Sequence, residues 1–507
     1  MSRTAASAGT TALRRPGGGT TSRPGTGTAP RPGTGLARLL DQNPALRIGQ
    51  DDYNINVTAN YGDQLSTSQV AAAIRDHPGA GRPAHLYFHV PLCAYICHFC
   101  NYVKRKVADG PEGEAAPRIW TDLLLDESGR RLAHSPWLAH APIESVYLGG
   151  GTASLLGTEQ LKRLLDHVRA RYTLADDCEI SLEGNPDNFQ HDELAEACAI
   201  GFNRFSVGVQ SLQSEVNAFA GRGHDAEMSL RAVAKLRATG KPFNVDMMFG
   251  LPHQSTASVA DDIRRLIDLD VPTITIYRLR NADRAKMGIG NRALWNVESV
   301  KNRLREQHLF PSLGETYAMR EAIVELLLDG GYHPSPCGWW NRPGVYPDGN
   351  IPRVSRNKWQ RHDSMIAYGP GAYGWLTGDG DTVVQTHNIA DISGYAARLK
   401  EGPGLPLASG RRLAGYQAIG MVLGFAFKAN QPVDAGRFRR RFGVELFHDE
   451  PFAAVFAELV ERGLMERVPG TPESIAPTLD GEALHEEIIS VYFHQRIGGF
   501  AEAVCHR

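Results

Sequence analysis

From His85 onward, short runs of β-branched and aromatic residues alternate with stretches of helical period, and this alternation restricts what the chain can fold into. The strands read as HLYFHVP (85–91), IESVYLGG (143–150), CEISLEGNP (178–186), FNRFSVGVQ (202–210), FNVDMMFGLP (243–252) and TITIYRL (273–279). Between them Leu161, Leu164, Leu165 and Val168 recur at i, i+3, i+4 and i+7, and Val259, Ile263, Leu266 and Ile267 at i, i+4, i+7 and i+8. Each set forms one apolar stripe that a helix can lay on a sheet. Such alternation builds parallel βα units, and six strands suit a partial (β/α)6 barrel of class α/β. Ligands of these sheets gather at the carboxyl ends of the strands. There the chain places Cys93, Gly149, Glu183, Gln210, Asp246 and Tyr277.

The first strand runs into LCAYICHFCNY, where Cys93, Cys97 and Cys100 make a C-x3-C-x2-C array holding three of the seven cysteines. Three thiolates on so short a loop suit a [4Fe–4S] cluster with one iron left open for chemistry. Zinc stays an alternative, because His98 lies within the loop, but structural zinc wants four ligands. A disulfide would leave one thiol over. The remaining cysteines, Cys178, Cys198, Cys337 and Cys505, read with His98 as structural, Cys337 being the one most worth testing.

Residues 86–102, LYFHVPLCAYICHFCNY, resemble the radical S-adenosylmethionine (SAM) enzymes, and YFHVPLCAYICHFC is similar to the Y-x-H-[IV]-P-x-C opening of their HemN-like group. That group includes an oxygen-independent coproporphyrinogen III dehydrogenase, a haem chaperone and methyltransferases. The resemblance implies a [4Fe–4S] cluster on Cys93, Cys97 and Cys100, and two SAM molecules. Gly149, Gly150, Gly151 and Thr152 match the GGGT segment that lies against the methionyl amino group. Phe99 is the aromatic before the third cysteine, and Tyr87 the tyrosine two before the histidine. ISLEGNPDNF, RFSVGVQSL, AGRGHD and NVDMMFGLP follow in the family's order. They supply Glu183 for a ribose or ammonium group, Gln210, Arg222 as a fork for a carboxylate, and Asp246 as acceptor for ribose hydroxyls. Tyr87, Glu183, Gln210 and Tyr102 are the catalytic candidates; the others contact cofactor.

Departures from the family steer the functional expectation. Asn101 and Tyr102 stand where the dehydrogenase has a further cysteine and the chaperone Asp-Phe, and Arg356-Asn357-Lys358-Trp359 replaces R-N-F-Q. These point to the methyltransferase-like branch: methylene transfer from a second SAM to an sp2 carbon of an unsaturated or aromatic small molecule, giving C-methylation or cyclopropanation in natural-product assembly. The dehydrogenase-like enzyme and the haem chaperone remain the alternatives. Trp339, Trp340, Tyr346 and Trp359 could stack on a flat substrate, although aromatics in such a loop more often pack against the barrel. The resemblance also implies a reductant such as flavodoxin or ferredoxin, and a monomer is expected.

At 507 residues the chain is long enough for two folded domains. Residues 1–36, poor in anything to bury, read as a disordered Gly/Pro/Thr tail, 37–80 as a lead-in, 81–300 as the barrel and 301–404 as its extension with site-covering loops. Within that extension, GYHPSPCGWWNRPGVYPDGNIPRVSRNKW reads as a loop with no regular element. Residues 405–507 read as a winged-helix-like α+β module. Its basic clusters, RRLAGYQ and GRFRRRFG, are too few for a nucleic-acid face, and the net charge of −2 gives no basic field. No run is long and apolar enough to span a membrane or serve as a signal peptide, so a cytoplasmic protein with reduced thiols is expected.

Overall fold

A computed structural model describes residues 34–46, 62–279, 290–335, 338–378, 380, 382–430 and 432–500. The expected tail falls almost wholly outside these, and helix Thr34–Gln42 begins before its expected end at 36. All six expected strands form: Ala84–Val90, Pro142–Gly150, Thr173–Gly184, Arg204–Gln210, Phe243–Phe249 and Thr273–Arg278. They pair in that order, each parallel to the next. A seventh strand, Ser364–Tyr368, adds parallel to the outer edge of Ala84–Val90. Antiparallel strands then flank the array, Tyr373–Thr377, Val383–Asn388, Leu407–Leu413 and Asp63–Leu65 on one side and Trp339–Asn341 and His333–Ser335 on the other.

The strand period sorts side chains into two layers. Leu86, Phe88, Val146, Leu148, Phe205, Val207, Val245 and Ile274 face outward, wholly buried under helices such as Gly157–Arg171 and Thr256–Asp268. The alternate residues, among them Tyr87, Tyr147, Glu183, Arg204 and Asp246, face the barrel interior. Helix Pro111–His134 carries the wholly buried Glu127 to the sheet edge. Its carboxylate accepts from Arg131 (3.0 Å), Gly369 N (2.7 Å), Asn388 (2.8 Å) and Tyr395 (2.6 Å), which locks the Gly369 turn behind the cysteine loop.

The stretch expected to be an irregular loop over the site is in part regular. Residues 333–335 and 339–341 are edge strands, and Arg356–Arg361 forms a π-helical turn. Trp340 is fully buried in the barrel core, Trp339 lies 4.9 Å from the Arg204 guanidinium, and the Tyr346 hydroxyl meets Thr273 at 3.2 Å. These rings pack the sheet edge, which is the packing alternative rather than stacking on a substrate; the Trp359 side chain, Cys337 and Cys505 lie outside the described residues.

The C-terminal part has helices Tyr416–Lys428, Ala435–Phe442 and Phe452–Glu461, with a small sheet of Val433–Asp434, Ser474–Pro477 and Met465–Arg467. Its core runs into the barrel's flank, where Met365, Trp375 and Val383 pack with Ile419, Phe425 and Phe427. Arg439 of the basic cluster is paired with Glu445 and, at 3.0 Å, with Glu473. Among the described residues no helix is long and apolar enough to cross a membrane.

Candidate functional site: the cysteine loop and the strand ends

The cysteine loop leaves the first strand and is anchored from three sides. Leu92–Cys93 pairs with Arg105–Lys106, and Val107 N donates to Cys93 O at 2.9 Å. His98 N donates to Ala220 O (2.9 Å), His98 Nδ1 to Phe219 O (2.8 Å), and Trp295 N to His98 O (3.1 Å). Lys104 Nζ donates to Cys100 O at 2.6 Å. His98 is thus committed to holding the loop, in keeping with its structural reading. Tyr87 contributes in the same sense: its hydroxyl donates to His89 Nδ1 (3.1 Å), and His89 Nε2 donates to Val103 O (2.7 Å).

Each glycine of the GGG run is required by a different neighbour. A Cβ on Gly149 would lie 2.3 Å from Glu183 Oε2, and one on Gly150 would lie 2.6 Å from the His89 ring, at a φ of +114°. On Gly151 it would lie 2.5 Å from Leu92 O and 2.9 Å from Cys93 Sγ. The N–H groups of Gly150, Gly151 and Thr152 are taken by Glu183 (3.1 Å), Val90 O (2.8 Å) and Leu92 O (2.7 Å). What this segment can offer a ligand is carbonyl oxygen, an acceptor that suits an ammonium group. Glu183 also accepts from Tyr147 OH, and burial above all raises its pKa.

Arg222 reaches the loop from the far side of the site. Its Nη1 is 3.2 Å from Cys97 Sγ, and its Nη2 bonds Asn185 Oδ1 (3.0 Å) and Gly208 O, while Nε has no partner. The Tyr95 ring lies beneath the guanidinium at 5.5 Å. Asp246 accepts from Ser206 (3.0 Å) and Asn244 (2.9 Å); burial, then the nearby Glu183, push its pKa up to about 7. Gln210 ends its strand at a φ of +69°. Cys93, Gly149–Thr152, Glu183, Arg222 and Asp246 therefore sit around one end of the barrel. Phe99 instead packs outward toward Trp295 (6.2 Å), and Tyr102 is 47% exposed.

Sequence reasoning did not single out Arg204, Asn244, Tyr147 or Asn185. Arg204 is buried below the carboxylates, bonded to Ser181 (3.2 Å) and Asn244. Burial works against its charge, yet Tyr346, Glu179 and Tyr147 around it leave its pKa above the ordinary value. The signal was available: an arginine at an inward position of a strand whose alternate residues are Phe205, Val207 and Val209.

The thiols test what the loop can hold. Burial first, then the neighbouring Cys100 and Cys97, push Cys93 up to about 12, and burial raises Cys100, so these sulfurs keep their protons unless a bound cation displaces them. No group of three or more His, Cys, Asp or Glu side chains among the described residues is placed to hold a single metal ion. Zinc needs its ligands gathered about one centre, whereas each cysteine of a cubane meets its own iron at a separate corner. The three sulfurs, the glycine cradle beside Cys93 and the unpartnered Arg222 Nε fit a cluster with an amino-acid ligand better than zinc.

Residues 87–266 match the family model described as Radical SAM superfamily. The haem chaperone HemW of Bacillus subtilis (strain 168) is 24% identical over 408 residues, 80% of this chain and 98% of that protein. HemW of Escherichia coli (strain K12) is 28% identical over 314 residues, 62% of this chain and 75% of that protein. Among solved structures, E. coli coproporphyrinogen III oxidase (HemN), described as a radical SAM enzyme, superposes with a TM-score of 0.68 at 20% identity, covering 88% of this chain and 99% of that one. Relatives named haem chaperone overturn the expectation of a C-methyltransferase or cyclopropanase of natural-product assembly. Asn101 and Tyr102 were too few residues to outweigh likeness spread over the whole length. The superfamily implies a [4Fe–4S] cluster and SAM, and Cys93, Cys97 and Cys100 lie within its matched span. Residues 87–266 are thus similar to the radical SAM superfamily, within a fold like that of HemN.

Proposed function

We propose that this protein is a haem-handling radical SAM protein of the HemW kind. The observation that carries this reading is the alignment of 80% of this chain with 98% of the B. subtilis haem chaperone. In this proposal Cys93, Cys97 and Cys100 would hold the cluster, beside which SAM would bind. Gly149–Thr152 supply carbonyl oxygens to the ammonium, Glu183 stands below them, and Asp246 accepts from the ribose. Bound SAM supplies the cluster's fourth ligand and, on one-electron reduction, a source of radical chemistry. The chain's residues orient and enclose it: Tyr87 and His89 clamp the loop through Val103, and Arg222 holds the Cys97 side. A second SAM beside the first belongs to the proposal, with Gln210 at the strand end nearest the Arg222 side.

Haem titration of the anaerobically reconstituted full chain tests the reading. A saturable Soret shift at about one haem per chain, with dissociation in the micromolar range or below, is the expected result. Absence of haem binding, together with methyl-derived label from deuterated SAM in a product, would sink it. Equilibrium dialysis with labelled SAM counts the SAM sites.

A further inference from the structure

Radical SAM proteins need a reductant, and the cluster's Cys93 corner is closed to direct contact, the residue being 8% exposed. At that corner, in contrast to the partly exposed Cys97 and Cys100, an electron enters through protein. Beside the loop, helices Pro111–His134 and Ile392–Lys400 enclose a groove of about 410 Å³ whose floor is Leu92, Trp120, Leu123 and Ile392. Leu92 is covalently joined to Cys93. Val107, also in the lining, donates its N–H to Cys93 O at 2.9 Å, and Lys106 is the register partner of Cys93. The groove floor is thus one covalent step and one hydrogen bond from a cluster ligand.

The rim is cationic. Arg105, Lys106 and Lys400 line it, and among the described residues neither lysine has a carboxylate partner. Arg105 meets Glu112 only at 3.4 Å, with both side chains more than half exposed, a pairing of little strength. Ile119, a residue that would ordinarily be covered, stands 46% exposed at the same lip. An apolar floor rimmed by two lysines and a weakly paired arginine, against the single carboxylate of Glu112, complements an acidic protein surface with an apolar centre.

We propose that this groove is the docking face for an acidic one-electron carrier of the flavodoxin or ferredoxin class, which passes its electron to the cluster through the Leu92–Cys93 and Val107–Cys93 contacts. The proposal rests on the reading that Cys93, Cys97 and Cys100 hold a cluster. One electron leaves the carrier, which is oxidised, and the cluster falls from the 2+ to the 1+ state; no bond is made or broken.

Charge reversal tests it on anaerobically reconstituted full-length protein: Lys106→Glu with Lys400→Glu, and Lys400→Glu alone, which lies far in sequence from the loop. Iron content is read first. Wild-type protein without iron would end the cluster reading, and with it this proposal. With iron present, reduction by a photoreduced acidic flavodoxin is followed by loss of cluster absorbance. The double variant should be slowed by about 10-fold or more at low salt, the single variant by several-fold, and both differences should vanish near 0.5 M NaCl, where screening shortens the field to a few ångströms. Dithionite, small and needing no docking face, should reduce all three proteins alike. Unchanged flavodoxin rates in the single variant, or equal losses with flavodoxin and dithionite, would overturn the docking assignment while leaving the cluster reading intact.

Discussion

Gly151→Ala should damage the site by a route that can be worked from distances. The added methyl would stand 2.5 Å from Leu92 O, 2.9 Å from Val90 O and 2.9 Å from Cys93 Sγ, against an ordinary contact of at least 3.4 Å. Two of the three obstacles are backbone oxygens, and each is pinned by a hydrogen bond from this same turn: Gly151 N to Val90 O at 2.8 Å and Thr152 N to Leu92 O at 2.7 Å. Overpacking of this kind costs about 1–3 kcal/mol, and weakening both hydrogen bonds adds about 1 kcal/mol each, for a total of about 3–5 kcal/mol. Relief requires Leu92 and Cys93 to move together, which carries the sulfur away from Cys97 and Cys100. Iron per chain after reconstitution should fall to less than half that of wild type, and the denaturation midpoint should drop. Gly129→Ala is the control: it lies within helix Pro111–His134 with nothing within 4 Å, so alanine should stabilise by about 0.5–1 kcal/mol and leave iron content alone. Wild-type iron content and stability in Gly151→Ala would refute the reasoning.

Three further outcomes follow from the same structure. Glu127→Ala leaves Arg131 buried without its carboxylate and strips Gly369, Asn388 and Tyr395 of their acceptor; chemical denaturation should show a loss of about 3–5 kcal/mol. Asp246, its carboxyl pushed up to about 7 by burial and Glu183, holds its proton more tightly folded than unfolded, so its contribution to stability is present in acid and is lost as pH rises through about 7. Asp246→Asn should therefore raise the apo melting temperature most at pH 8, less at pH 5.5 and least below about pH 4, while wild-type SAM affinity, measured by calorimetry, should weaken below pH 7 as the ribose acceptor is protonated. Trp340→Ala should cost about 3–5 kcal/mol, read from denaturation, and leave the haem affinity of the folded protein unchanged, because the ring lies in the core.

The barrel strands were legible because their side chains obey a local rule: residues facing the helices are apolar at every second position, and the flanking glycines and prolines end each run. Ser364–Tyr368 obeys no such rule over its five residues and is followed by Gly-Pro-Gly. It is a strand because the chain returns to the open edge of Ala84–Val90, a partner nearly 280 residues away in sequence. The edge strands at 333–335 and 339–341 have the same origin. Three residues between prolines and glycines carry no period of their own, and Trp339 and Trp340 become strand residues only by pairing with Thr273–Arg278.

The site divides along a similar line. Cys93, the three glycines and Glu183 stand at or beside strand ends, where polarity in an apolar run is conspicuous, whereas Asp246, expected at a strand end, is the middle residue of Phe243–Phe249. Their positions were legible; what keeps them there was not. Glu183 and Asp246 are two buried carboxyls, each raised first by burial, and Glu183 further raises the cost of ionising Asp246. Arg204 lowers that cost for both from below, and is itself held by Asn244 and Ser181. A guanidinium is the group suited to this position, since it cannot lose its proton even when desolvated, and a lysine there would discharge. The inward row Arg204, Asn244 and Asp246 spans two neighbouring strands in register, so its logic exists only once the barrel is closed. A ligand bringing an ammonium to Glu183 would add to what Tyr147, Gly150, Arg204 and Lys358 already do for that carboxylate, which ties SAM binding to the ionisation of the carboxylates that would receive it.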